Sequence, residues 1–210
     1  MSGGIYLRQL AVGPMQNFAY LVGSAAGEQC AAVDPGWDGA GLLAAARSDG
    51  RRIVAVLLTH DHFDHVGALR EILADGGREV WVHASDASSL AGVPGLRPTA
   101  DGERARVAGL DLEFMHTPGH TPGSQCIAAG GQLFTGDTLF LDCCGRTDLA
   151  GSDPARMHAS LRRLAALPES TVVWPGHDYG NKPSAALGEI KKINPFLAAR
   201  TLAEFRALGG

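Results

Sequence analysis

Three histidines and two aspartates crowd into the six positions from His60 to His65, within Thr59-His60-Asp61-His62-Phe63-Asp64-His65. Imidazoles and carboxylates this close repel or desolvate one another unless a cation gathers them, and His with Asp is a donor set that Zn²⁺ and Fe²⁺ accept. Alternation along the segment is expected to send His60 and His62 to one side and to let Asp64 and His65 reach a second position beside it, which makes two adjacent metal sites. Three more ligand-type side chains follow at wide spacing. They are His120 in the rigid turn Thr117-Pro118-Gly119-His120-Thr121-Pro122-Gly123, Asp137 in Phe134-Thr135-Gly136-Asp137-Thr138, and His177 in Pro175-Gly176-His177-Asp178-Tyr179. Each stands beside Gly or Pro after an apolar run, where backbone can approach without side-chain clash.

Regular elements must hold these side chains. Apolar or alternating stretches bounded by Gly and Pro predict strands at 17–22, 29–33, 53–58, 79–82, 110–115, 125–129, 132–134 and 171–174. Helical periodicity predicts helices over 40–47, 68–74, 154–167 and 184–193, the third opened by Asp153 as a cap with Pro154 in its first turn. The tract from about 92 to 106 reads as irregular. Two of the apolar runs, Val56-Leu57-Leu58-Thr59-His60 and Val172-Val173-Trp174-Pro175-Gly176-His177, end in a histidine. The chemistry therefore gathers at strand ends, where a loop is fixed by the sheet yet open to solvent. No composition break marks a linker, so residues 1–210 read as a single α/β domain.

Composition narrows the function classes. With 210 residues, 45% hydrophobic and 19% charged, the chain can build a sizeable core and is too apolar for a disordered protein. The 18 Lys+Arg against 22 Asp+Glu leave a net charge of −4, so no broad basic face exists to hold a nucleic-acid backbone. No apolar run has the length of a membrane span, and Met1-Ser2-Gly3-Gly4 lacks the order of a signal peptide, so a cytoplasmic protein without a membrane partner is expected. Cys30, Cys126, Cys143 and Cys144 form no CxxC pair, and reduced, mostly buried thiols are expected.

The pattern HxHxDH at 60–65, followed in order by Gly119-His120, Gly136-Asp137 and Gly176-His177, resembles the metallo-β-lactamase superfamily over most of the chain. The stretches Gly13-Pro14-Met15-Gln16-Asn17, Asp34-Pro35-Gly36, Gly145-Arg146-Thr147-Asp148 and Asn194-Pro195-Phe196 are similar to the glyoxalase II (hydroxyacylglutathione hydrolase) branch and its short relatives, and to persulfide dioxygenases. The resemblance implies a four-layer αββα sandwich with the metals in a groove at one edge of the sheets. It makes His60, His62 and His120 ligands of one metal and Asp64, His65 and His177 ligands of a second, with Asp137 bridging them. Little sequence follows Asn194-Pro195, so the C-terminal helical extension with which glyoxalase II grips glutathione is expected to be missing or very short.

Two Zn²⁺ ions in such a site would provide a hydroxide near neutral pH and polarise a substrate carbonyl, with Asp64 and Asp137 as the catalytic carboxylates. A thioester suits this chemistry because its thiolate leaves with little need of a proton. The alternative is an Fe²⁺ centre on His60, His120 and Asp137, with open positions for O₂ and a substrate sulfur, as the likeness to persulfide dioxygenases implies; mixed Zn, Fe and Mn occupancy fits the same donors. A lactonase or a non-catalytic metal-holding scaffold is a further reading, and the acidic charge balance counts against a nuclease. Arg146 is a candidate for a substrate carboxylate unless Asp148 clips it, and Tyr179 is a candidate hydrogen-bond donor. Asp34 is read as a brace for the metal loop or a plain turn residue, and Asp61 as a residue pointing away. His83, His116 and His158 are read as packed or surface histidines, Cys143 and Cys144 as inert thiols, and the lysines near 182–192 as a solvated face.

Overall fold

The computed structural model describes residues 4–76 and 78–209. The first sheet comprises β1 (Ile5–Val12), β2 (Asn17–Ser24), β3 (Gln29–Val33), β4 (Arg52–Leu57), β5 (Glu79–His83) and β6 (Leu96–Thr99), ordered as in sequence. The second comprises β7 (Glu103–Val107), β8 (Leu110–His116), β9 (Gln125–Ala129), β10 (Gln132–Gly136), β11 (Val172–Pro175) and β12 (Ala185–Ala186), in spatial order β12-β11-β10-β9-β8-β7. Both sheets are mixed: β3 to β6 run parallel, as do β10 and β11, while hairpins join most of the rest.

Side-chain alternation builds the layers. In β2, Phe18, Tyr20 and Val22 enter the core between the sheets, where they meet Leu112, Phe114, Ile127 and Phe134 of the second sheet. Ala19 and Leu21 face the other way, under Leu42, Ala45 and Ala46 of α1 (Gly39–Ser48) and Ile72 of α3 (Leu69–Ala74). The far face of the second sheet, with Cys126, Leu133 and Val173, is covered by Met157, Leu161 and Leu164 of α4 (Pro154–Ala165). Leu187 and Ile190 of α5 (Leu187–Ile193), Leu197 of α6 (Pro195–Ala198) and Phe205 of α7 (Leu202–Ala207) complete that cover. The result is the expected αββα sandwich. Asp153 caps α4 by accepting from the backbone N–H of Ala155 at 2.8 Å and Arg156 at 3.1 Å, with Pro154 in the first turn, a cap worth about 1 kcal/mol.

Several elements depart from the sequence reading. β6 and β7 occupy much of the tract that reads as irregular in the sequence, and β1 lies outside the stretches that predict strands. All three lie at sheet edges, where the Pro98 ring and the alternating charges of Glu103-Arg104-Ala105-Arg106 are tolerated and the apolar signal is weak. The helix expected over 184–193 begins only at Leu187, because Ala185 and Ala186 pair with β11 instead. Phe63–Val66 forms a short helix, α2, within the histidine cluster. Among the described residues no helix is long and apolar enough to cross a membrane.

The two sheets are stitched together at one end. Gln125 donates its backbone N–H to the Thr59 carbonyl and its side-chain amide to the Leu58 carbonyl, both at 2.8 Å, and accepts from the Thr99 hydroxyl at 2.7 Å. The Phe18 N–H donates to the Gly176 carbonyl at 2.8 Å. The loops beyond β4, β10 and β11, which carry the crowded histidines and acids, open at this stitched end.

Candidate metal centre

The fold brings His120, Asp137 and His177 to the cluster at 60–65, making two adjacent three-donor groups with Asp137 between them. His60, His62 and His120 present ring nitrogens within 4.8 Å of one another, and a carboxylate oxygen of Asp64 comes equally close to ring nitrogens of His65 and His177. The grouping is the one alternation suggested, but the cause differs. His62 stands at the residue before α2, and the helical turn after it carries Asp64 and His65 inward while Phe63 points out, 64% exposed. Asp137 stands between the groups, with its Oδ2 3.5 Å from His120 Nε2 and 3.4 Å from His177 Nε2. Its Oδ1 lies 3.3 Å from His65 Nε2.

The donors fit a metal better than they fit one another. His60 Nε2, His120 Nε2 and Asp137 Oδ1 are buried without a hydrogen-bond partner, and such groups are costly unless something fills the gap. His65 Nε2 and His177 Nε2 face each other at 3.3 Å, and His177 Nε2 lies 3.4 Å from Asp64 Oδ2. Donors held about 2.0–2.1 Å from a shared ion at tetrahedral angles stand roughly 3.4 Å apart.

Hydrogen bonds behind these side chains fix their direction. Asp34, buried and held at a φ of 46°, accepts from the Thr59 N–H at 2.8 Å and the Thr59 hydroxyl at 2.6 Å. Its Oδ2 also lies 3.1 Å from His65 Nδ1, which turns His65 Nε2 toward the centre. His120 Nδ1 contacts the Arg146 carbonyl and His177 Nδ1 the Met15 carbonyl, each at 2.9 Å. Gly119, at a φ of 145°, lets the His120 turn lie against α4, where a Cβ would come within 2.4 Å of the Met157 backbone. Asp34 therefore braces the loop, whereas Asp61 is half-buried and outside both groups.

Two bracing residues were not singled out by their chemistry. Asn17, buried at the start of β2, donates its amide to Asp64 Oδ2 at 2.9 Å and to the Asp64 carbonyl at 3.1 Å. The Trp37 indole N–H donates to Asn17 Oδ1 at 2.7 Å, fixing that amide's orientation. The available signal was a polar residue heading an otherwise apolar strand.

Electrostatics follow from burial. It drives His60 and His120 below the ordinary histidine range. Burial also opposes charge on His65, but the Asp137 and Asp34 carboxylates outweigh it and hold His65 well above that range. For Asp137, burial favours the neutral acid, yet the charge on His65 and the contacts from His177 and His65 hold the carboxyl well below its usual value.

A pocket of about 510 Å³ opens over both groups. Larger hollows of about 720 and 760 Å³ lie elsewhere, and neither is lined by a histidine. Tyr179 stacks on the His177 ring at 4.6 Å, and Cys143 and Cys144 line one wall. Burial pushes both thiols up to about 12, so they stay protonated at neutral pH.

His83 and His116 stack on each other at 3.7 Å away from the two groups, and His158 lies 3.2 Å from the Ala199 carbonyl. Burial, helped by His116, pushes His83 down to about 4. The unfolded chain then binds a proton at this residue below about pH 6.5 that the folded chain refuses until about 4, so stability falls as pH drops through that window. His83→Gln is expected to flatten the decline of Tm between pH 6.5 and 4; an unchanged slope in pH-dependent melts would refute this.

The Metallo-beta-lactamase superfamily domain matches residues 12–177, a span that includes all seven gathered side chains. The chain belongs to this superfamily. A relative described as hydroxyacylglutathione hydrolase from Rhodospirillum rubrum is 38% identical over 93% of this chain and 75% of its own length. Among solved structures, ETHE1 from Myxococcus xanthus superposes with a TM-score of 0.84 at 31% identity, over 97% of this chain and 89% of its own. TTHA1623 in a di-iron-bound form has a TM-score of 0.78 at 36% identity, over 90% and 99%.

Proposed function

We propose that this superfamily member is a metal-dependent hydrolase of the glyoxalase II type that cleaves a small-molecule thioester. The carrying observation is Asp137, whose carboxylate lines the pocket and reaches His120 of one three-donor group and both His65 and His177 of the other. In this reading His60, His62 and His120 hold one ion, Asp64, His65 and His177 hold the other, and Asp137 serves both. Ions bound there supply a water of lowered pKa and polarise the substrate carbonyl, with zinc the first candidate. The relative named hydroxyacylglutathione hydrolase supports a thioester substrate, and the di-iron form of another relative keeps iron in view.

The chain's own groups set the remaining steps. Phe140, Cys143 and Leu149 line the pocket and offer the thioester an apolar surface to lie against. A departing thiolate, near pKa 8.5, needs no strong acid from the protein. Tyr179 is held by its stack on His177 with its ring about half exposed, and burial together with the Asp137 and Asp64 carboxylates keeps its hydroxyl protonated, ready to donate to the substrate.

One observation favours a second reading. Besides the Trp81 indole nitrogen, the buried side-chain atoms without a partner are His60 Nε2, His120 Nε2 and Asp137 Oδ1, which belong to two histidines and one carboxylate, the donor face for Fe²⁺ in a persulfide dioxygenase. That reading leaves the complete group of Asp64, His65 and His177 without a task, so the two-ion hydrolase is preferred. The deciding experiment measures metal content of anaerobically purified protein, thiol release from a hydroxyacylglutathione and persulfide-dependent oxygen uptake on one sample. Two ions per chain with thiol release are expected; one iron with oxygen uptake overturns the hydrolase.

The Asn17 brace gives a separate prediction. Asn17→Ala frees the Asp64 carboxylate from its amide partner, and the ion at Asp64, His65 and His177 should bind about 10–100-fold more weakly. Chelator competition measures this; an unchanged affinity removes Asn17 from the machinery.

A further inference from the structure

The pocket lining carries much apolar surface, and its one guanidinium is already paired. Met15, Phe63, Phe140, Leu149 and Tyr179 line the pocket, and three of these, Met15 at 40%, Phe63 at 64% and Tyr179 at 47%, leave large hydrophobic side chains exposed to water. Exposed apolar surface gathered at a pocket marks a site for an apolar ligand. Among the lining residues described, the one Lys or Arg is Arg146. Its guanidinium is not free: Nε and Nη2 donate to the two carboxylate oxygens of Asp148, each at 2.9 Å. Arg146 is anchored beside the metal centre by its own carbonyl, which lies 2.9 Å from His120 Nδ1, so the pair sits at the rim. Below it lie the carboxylates of Asp64 and Asp137, in a chain of net charge −4.

A thiol arm with carboxylates must therefore displace Asp148 to reach a cation, whereas an uncharged arm meets apolar surface directly. We propose that the pocket selects thioesters whose thiol arm is uncharged and largely apolar, and that Asp148 sets this selectivity by occupying Arg146. The inference rests on the thioester reading for turnover but not for binding. Both members of the pair are 68% exposed, and pairs of that kind are weak, so the expected discrimination from Asp148 is modest, about two- to five-fold.

The test places one acyl group on two thiols, N-acetylcysteamine, which is uncharged, and glutathione, which carries two carboxylates and one amine. Metal-loaded wild-type protein should give the higher kcat/KM with the uncharged arm. Asp148→Asn should raise kcat/KM for the glutathione thioester about two- to five-fold through KM, with kcat unchanged and with no change for the other substrate. Added salt should erase that gain. Non-hydrolysable thioethers of the same two arms, titrated calorimetrically into both proteins, should show the same preference in binding. A wild-type preference for the glutathione arm, or an Asp148→Asn variant that moves both substrates equally, overturns the proposal. Cleavage of neither thioester, with the thioether preference intact, overturns the hydrolase reading and leaves the selectivity standing.

Discussion

Asp137→Ala is expected to lower turnover by more than about 10³-fold, well beyond the 10–100-fold typical of residues that only brace a ligand. The reason is position. One carboxylate lies 3.5 Å from His120 and 3.4 Å from His177, so its loss withdraws a donor from both groups at once. Each group keeps three potential donors of its own, so under the two-ion reading the ions should bind more weakly without being lost outright at saturating metal. Mass spectrometry of metal content at limiting and saturating metal, alongside turnover at saturation, separates the two effects. Asp61→Ala, altering a half-buried acid next to the same histidines, should stay within about two-fold of wild type, as expected for a change outside the site. Asp137→Ala activity within tenfold of wild type would remove Asp137 from the centre under either metal scheme.

The residues of this centre were legible because their chemistry is unusual wherever it occurs. Five ligand-type side chains in six positions have few uses other than cation binding, and His120, Asp137 and His177 each follow an apolar strand beside a glycine. The interior strands were legible for a related reason: β2 to β5, β9 and β10 bury most of their length and read as apolar runs, while β8 and β11 alternate buried with less buried positions. What escaped depends on partners remote in sequence. β6 and β7 are edge strands whose pairing, not composition, defines them. Helix α2 spans only four residues and lies against the loop of Asp34 to Gly36, so its hydrophobic pattern is too short to register. The Asn17 contact to Asp64 crosses 47 positions, and the Arg146 pairing with Asp148, although local, required geometry to separate it from a free cation.

Gly36→Ala should produce the second large effect, and it does so through backbone. A Cβ at residue 36 would stand 1.8 Å from the Asp64 carbonyl oxygen and 2.8 Å from its carbon, where no side-chain rotation relieves the contact. Restoring an ordinary C···O separation of about 3.3 Å moves α2 by roughly 1.5 Å. Both Asp64 and His65 ride on that helix, and Asn17 and Asp34 hold them from behind, so they cannot shift without breaking those contacts. Misplacement on the 1 Å scale lowers rates about 10²-fold, which sets the expected loss of kcat/KM. Overpacking of this kind destabilises by about 1–3 kcal/mol, or roughly 2–12 °C in Tm for a domain of this size. Under the two-ion reading, the ion assigned to His60, His62 and His120 should remain, because none of them lies within α2. Metal analysis is expected to find one ion kept and its neighbour lost. Gly27→Ala, where the nearest atom to the new Cβ is 3.7 Å away, should leave ion content and rate unchanged. Two ions and full activity in Gly36→Ala would mean that α2 can slide freely, and the close approach of residue 36 to Asp64 would then have no part in building the second group.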